Sequence, residues 1–224
     1  MTARTVLVPT GRIERWCANF ATRHGRPTTG SALSVGGGRV VVSGDDAATA
    51  TLALPFSREY GGPADLAALV AAAAPPGRWG VLLVRKGGFA VAVVTGEKVS
   101  ASKVGQRHVQ GRTKAGGQSQ QRFARRRDNQ ARQAYEAAAE HAYRVLVAEA
   151  GGALDALVCG GDRSAVEAVL ADPRLGRLAS RRAGVWHAVP DPRRAVLEQA
   201  VVDALSLVVE VQEPEESAPS GAAR

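Results

Sequence analysis

Cysteine is scarce. Only Cys17 and Cys159 occur among the 224 residues, too few for a disulfide framework or a zinc site built on thiolates. No run of about 18 apolar residues exists, so no membrane-spanning helix is encoded. The opening stretch, MTARTVLVPTGRIERW, has no apolar core followed by a small-residue cleavage site, which predicts a reduced, cytoplasmic protein. No fixed period suggests a solenoid or a collagen. Aromatic residues make up 4% of the chain, yet 45% is hydrophobic, too apolar for a wholly disordered polymer. The length suits one sizeable α/β domain, or a domain with a small appendage.

Positive charge is present, and in one place. The formal net charge is +8. Residues 103–132 carry nine bases (Lys103, Arg107, Arg112, Lys114, Arg122, Arg125, Arg126, Arg127 and Arg132) against one acid, Asp128, and the other 20 bases and 20 acids cancel. A preference for Arg over Lys, with abundant Ala, Gly and Val, is what GC-rich coding produces. That bias explains scattered arginines but not a single basic stretch beside a neutral remainder. The stretch is therefore read as meeting a polyanion. Phe123 is its one aromatic residue, which favours backbone or shape recognition of folded RNA over a base-stacking platform.

Hydrophobic patterning predicts a small α+β unit over 1–76, a larger domain over 77–211 and a disordered Pro/Ser-rich tail over 212–224. In the first unit, a strand ends at Pro9 and Thr10 caps a helix carrying Ile13, Trp16, Cys17 and Phe20 at helical spacing. SALSV and RVVVS flank a glycine hairpin turn, TATLALPF is a further strand, and Pro63 opens a helix through Ala74. The second unit starts with three strands in a meander, WGVLLVRK, GGFAVAVVTG and EKVSASKV. GQRHVQGRTKAGG has no apolar period and reads as a long mobile loop. From Ser119 to Gly151 neither Gly nor Pro intervenes, which predicts a helix on the order of 45 Å long. The strand ALDALVCGG follows, then a helix with Ser164 and Glu167 at capping-box spacing, a strand GVWHAVP, and a last helix from Asp191 through Val209. The fold class is α/β, a mixed sheet with helices on its faces.

The loop ends in Gly116-Gly117-Gln118, directly before the basic helix. The block GGQSQQRFARRR, with Tyr135 further along an Ala-rich helix, resembles the central domain of eukaryotic and archaeal class I peptide-chain release factors, where Gly-Gly-Gln-Ser leads into an Arg-Phe-Ala-Arg helix. The similarity weakens outward from 81 to about 209 and takes in the three preceding strands and the ALVCGG strand. The N-terminal unit does not resemble the codon-reading domain of those factors, and their C-terminal domain has no room here. A short chain keeping only the hydrolytic part is similar to the Vms-like release factors, as is the helix RIERWCANFATRHG. The resemblance implies a ribonuclease H-like sheet and codon-independent hydrolysis of peptidyl-tRNA on stalled or obstructed large ribosomal subunits. It also implies Gly116, Gly117 and Gln118 as the catalytic tip, no cofactor or metal, and a monomer away from the ribosome.

The residues fit that chemistry on their own terms. Hydrolysis of an ester needs a water about 3 Å from the carbonyl and donors for the developing oxyanion. Two glycines let the backbone fold tightly against a crowded substrate. Gln118 offers a backbone N–H to charge and a side-chain amide to orient water, but it has no useful pKa and is no general base. Arg112, Lys114, Arg122, Arg125, Arg126, Arg127 and Arg132 are the candidate RNA contacts. Cleavage of the tRNA strand near its 3′ end and a non-catalytic ribosome or tRNA binder are the alternatives. A metal-dependent nuclease would need clustered carboxylates at the strand ends, which the first strands of the second unit lack. His108 in the loop reads as a surface or RNA-contacting residue, and Gly160-Gly161 as a tight strand–helix connection rather than an anion site.

Overall fold

Nine strands and six helices follow one another in the order β1 (Thr2–Pro9), α1 (Ile13–His24), β2 (Leu33–Gly36), β3 (Arg39–Ser43), β4 (Thr49–Ala53), α2 (Leu66–Ala72), β5 (Arg78–Arg85), β6 (Gly88–Thr95), β7 (Lys98–Gln106), α3 (Ser119–Tyr143), β8 (Ala156–Gly161), α4 (Arg163–Leu170), α5 (Gly176–Ala179), α6 (Arg194–Ala204) and β9 (Ser206–Glu213) among the described residues. The computed structural model describes residues 2–26, 32–86, 88–106 and 119–213, without the side chains of residues 2 and 119–129. The chain divides into two units, Met1–Ala74 with Leu205–Arg224, and Pro75–Ala204.

The first unit is built on an antiparallel sheet in the order β1-β9-β4-β3-β2. β3, β4 and β9 alternate as strands of a half-buried sheet do. Val40 and Val42 of β3, Ala50 and Leu52 of β4, and Leu207, Val209 and Val211 of β9 are buried, and they form one core with Ile13, Phe20 and Leu69 from α1 and α2. Burying each of the larger aliphatic chains contributes roughly 1.5–3 kcal/mol. His24, the last residue of α1, is buried and its Nδ1 lies 2.9 Å from Asp46 Oδ2, which ties the helix end to the β3–β4 turn.

The second unit holds a mixed sheet in the order β7-β6-β5-β8, with β5, β6 and β7 a meander and β8 parallel to β5. β5 and β6 are buried along almost their whole length, so they read as continuous apolar runs rather than alternating ones. Leu82, Val84, Val91 and Val93 share a core with Ala138, Ala142, Val145 and Leu146 from α3 and the turn after it, and with Val166 and Val169 of α4. The alternate positions Val81 and Leu83 are equally inaccessible, and α6 packs on β5 and β6. α3 widens into a π-turn over Arg144–Ala148, closed by Glu149 N–H donating to the Arg144 carbonyl at 2.8 Å. The shift of phase lets Val145, Leu146 and Ala150 all reach the core.

Several expectations are corrected. The last helix ends at Ala204, not Val209, and the residues after it form β9, a strand of the first sheet between β1 and β4. The second unit therefore spans Pro75–Ala204 where the sequence suggests 77–211, and the strand extends to Glu213 where a tail is expected from 212. GVWHAVP is no strand; among the described residues it makes one isolated bridge, His187 to Gly160. Ser164 caps nothing: Asp162 occupies the N-cap of α4, and Glu167 pairs with Arg182. α2 starts behind Asp65, whose carboxylate accepts from Ala68 N–H at 2.8 Å, so Pro63 lies outside it. Thr10 opens a 3-10 turn ahead of α1, and its hydroxyl donates to the Leu205 carbonyl at 3.1 Å instead of capping a helix.

Candidate functional site

The candidate catalytic residues Gly116, Gly117 and Gln118 lie outside the described residues, as do Arg112, Lys114 and His108. Their place in the chain is fixed by what flanks them: β7 ends at Gln106 and α3 starts at Ser119. Gly88 pairs with Gln106 on one side and with Arg85 on the other, while Val84 pairs with Gly161. The C-terminal ends of β5, β7 and β8 thus meet at one end of the second sheet, and the connection bearing the Gly-Gly-Gln tripeptide leaves from there.

α3 supplies the other root. The backbone of Arg122, Arg125, Arg126 and Arg127 belongs to this helix, and their side chains lie outside the described ones. Arg132 is exposed. From Ala134, which packs near the sheet end, back to Ser119 the helix rises on the order of 20 Å.

Two hollows flank this region. A cavity of about 300 Å³ lies between α3 and the sheet end, with Phe89, Gly105, Gln106, Tyr135 and His141 in its walls. Phe89 and His141 stack with ring centroids 5.2 Å apart and planes 22° from parallel. Burial, with Lys103 and Arg144 nearby, holds the His141 pKa below its ordinary value, so the imidazole is neutral at neutral pH. Burial, with the Asp162 carboxylate adding to it, pushes the Tyr135 phenol up and keeps it a donor. The second hollow, about 780 Å³, has Lys86, Arg132 and Arg174 in its walls against Glu136, Glu140 and Asp172. Arg174 reaches both Glu140 and Asp172 at 2.8 Å and lies over the Tyr143 ring, 4.7 Å from its centroid. Both carboxyls are held below the usual range by hydrogen bonds from that guanidinium. With bases and acids equal in number, this hollow has no net attraction for a polyanion; it is a clamp between α3 and the turn after α4.

The sheet end is braced from below. Arg85 lies 3.7 Å from the Asp162 carboxylate and donates to the Val189 carbonyl at 3.0 Å. Trp186 Nε1 donates to the Gly161 carbonyl at 3.1 Å, and Arg163 covers the indole face 4.6 Å from its centroid. Gly161 has φ +93°, the left-handed side that side chains resist, and its backbone runs directly against the carbonyl of Val84. The Gly160-Gly161 pair is accordingly a close strand–helix connection. Neither thiol is a nucleophile: burial pushes Cys159 to about 12 and Cys17 to about 11. Among the described residues no group of three or more His, Cys, Asp or Glu is arranged to hold a metal.

Of the sequence-predicted site residues, only Arg132 has a described side chain, and it stands on the larger hollow. Sequence reasoning did not single out Phe89, His141 or Arg85. The signal was present in part: Tyr135, Ala138 and Ala142 repeat at i, i+3 and i+7 on α3, a stripe that had to meet the sheet.

The match that assigns a class covers the whole second sheet and the helices packed on it, and it is to a release factor. The chain belongs to the Actinobacteria/chloroflexi VLRF1 release factor family, whose model matches residues 77–210. Among solved structures, the chain is similar to an archaeal translation termination factor, aRF1, at 12% identity and TM-score 0.37, over 90% of this chain and 66% of that one. It is similar to the Vms1 mitochondrial localization core at 12% identity and TM-score 0.39, over 88% of this chain and 80% of that one. No curated protein matches the chain.

Proposed function

We propose that the chain hydrolyses the ester between a nascent peptide and its tRNA, without reading a codon, on stalled or obstructed large ribosomal subunits. The observation that carries this is the position of Gly116-Gly117-Gln118: it falls inside the 77–210 segment matched by the release-factor family, on the connection between β7 and α3. The confinement of the whole net charge to residues 103–132 supports an RNA partner for the same segment. The order β7-β6-β5-β8, three antiparallel strands and a parallel fourth, supports a ribonuclease H-type reading of the second unit.

In this reading water adds to the ester carbonyl, the ribose 3′ oxygen leaves, and the products are a free carboxylic acid and deacylated tRNA. Gly116 and Gly117 admit the backbone to the substrate, the Gln118 N–H faces the oxyanion, and its side-chain amide orients the water. An amide moves no proton at neutral pH, so proton transfer falls to RNA hydroxyls of the assembled particle. Free peptidyl-tRNA is accordingly a poor substrate. Arg112, Lys114, Arg122, Arg125, Arg126, Arg127 and Arg132 hold phosphates around the tip, no cofactor takes part, and the protein works in the cytoplasm as a monomer off the ribosome.

The test is release of labelled nascent chain from stalled large subunits. Wild type releases it, and Gln118→Ala lowers the rate by at least about 100-fold while subunit binding persists. Unchanged release in that variant defeats the proposal. A 3′-end label on the tRNA separates the chemistries: intact CCA ends mean ester hydrolysis, and shortened ends mean strand cleavage through the same loop.

A further inference from the structure

We propose that the cavity between α3 and the end of the second sheet receives one unstacked base of RNA, seated against Phe89, Tyr135 and His141. The inference rests on the reading of this chain as RNA-engaging and gives that reading a specific contact outside the Gly-Gly-Gln loop.

Size is the first argument. About 300 Å³ is at the small end of ligand pockets, which run to about 1,000 Å³, and suits a single flat ring system rather than a length of chain. Composition is the second. Aromatic residues are only 4% of the sequence, yet Phe89 and Tyr135 line this one hollow together with the His141 ring. Phe89 is buried, with its ring against His141 and Gly105, and it backs the half-buried His141 and Tyr135 rings; bases splayed from folded RNA stack on such rings, histidine included. Gly105 makes room for the Phe89 ring, which a Cβ at that position would strike, and so fixes the ring that backs His141.

The polar groups are suited to a base edge. Tyr135 keeps its proton and donates, neutral His141 offers a donor and an acceptor, and Gln106 adds a side-chain amide to the wall. Charge decides between an RNA base and the side chain of a protein partner. Gln106 on β7 and Ala134 on α3 bracket almost the whole basic stretch in sequence, so an occupant attached to phosphates is favoured over a neutral peptide. The basic segment alone argued for backbone recognition without stacking. Tyr135, just beyond it, supplies the missing ring.

The experiment titrates adenosine 5′-monophosphate into the full chain and follows the ring signals of Tyr135 and His141 by NMR, with ribose 5-phosphate and N-acetylphenylalaninamide as comparison probes. The nucleotide is expected to shift both rings saturably, and the comparison probes are not. Tyr135→Ala weakens the midpoint about tenfold, in line with the stacking lost. Ala134→Phe, on a half-buried wall position, fills the space and removes the shifts, with an unchanged thermal melt showing that the unit is folded. Equal shifts from ribose 5-phosphate mean a phosphate contact only, and equal shifts from the phenylalanine derivative mean an apolar peptide seat; either result overturns the proposal. So does an absence of shifts from the nucleotide. Gln118→Ala keeps the nucleotide shifts, so failure of the hydrolase reading and failure of the base pocket are read in separate assays.

Discussion

Gly161→Ala is the sharpest probe of how the sheet end is held. The residue sits at φ +93°, where a side chain costs about 1–2 kcal/mol. A Cβ would also lie 2.9 Å from the carbonyl carbon of Val84 and closer still to its oxygen. Rigid backbone cannot yield without disturbing two hydrogen bonds, Asp162 N–H to the Val84 carbonyl at 2.8 Å and Gly161 N–H to the His187 carbonyl at 2.9 Å, each worth about 1 kcal/mol net. The combined loss is about 3–4 kcal/mol, which lowers Tm by roughly 10 °C in a domain of this size. Thermal and urea unfolding followed by tryptophan fluorescence reads it, since Trp79 is fully buried and Trp186 half-buried in the same unit. Gly176→Ala is the matched control: nothing lies within 4 Å of its Cβ, and it starts α5. That change is neutral or stabilises by up to about 1 kcal/mol through the unfolded chain. A Gly161→Ala protein that loses less than about 1 kcal/mol, or a Gly176→Ala protein that loses as much as its counterpart, refutes the reasoning.

Further outcomes follow from the same structure. Val209→Asp unfolds the first unit while Val208→Asp is tolerated, because Val209 is fully buried and Val208 is not; equal effects in a urea titration would argue against strand alternation in β9. Cys17 and Cys159, pushed up to about 11 and about 12 by burial, stay unreactive toward a thiol reagent in the folded protein and react at once in denaturant. A hydrogen bond from His24 holds the Asp46 carboxyl below its ordinary value, so its contribution is complete above about pH 4 and drains away as pH falls further. Asp46→Asn flattens that acid limb in a pH series of melts, and an unchanged slope would contradict the linkage.

What the sequence displays and what it hides divide along physical lines. WGVLLVRK and GGFAVAVVTG announce buried strands because both faces of β5 and β6 are covered, leaving unbroken apolar runs. The helix after residue 118 is equally plain, since neither Gly nor Pro interrupts it before Gly151. The Gly-Gly-Gln tripeptide stands out in the sequence as candidate chemistry, and its place in space lies outside the described residues. VLEQAVVDALSLVV is ambiguous, for its apolar residues satisfy a period of 3.6 and a period of 2 together. Only the partner decides: Leu207, Val209 and Val211 are held by β1 and β4, which lie some 150 residues or more earlier in the chain. His187 stays outside a strand because its segment meets β8 at a single bridge. The cavity beside α3 is hidden for the same reason, its walls being drawn from β5, β6, β7 and a helix far along the sequence.

The place of β9 between β1 and β4 sets an order of assembly. The first sheet can close only once β9 has been made, after the whole of residues 75–204, so the amino-terminal strands wait with an open gap. Any product that stops short of residue 206 is left with unpaired edges on β1 and β4, open to pairing with another chain.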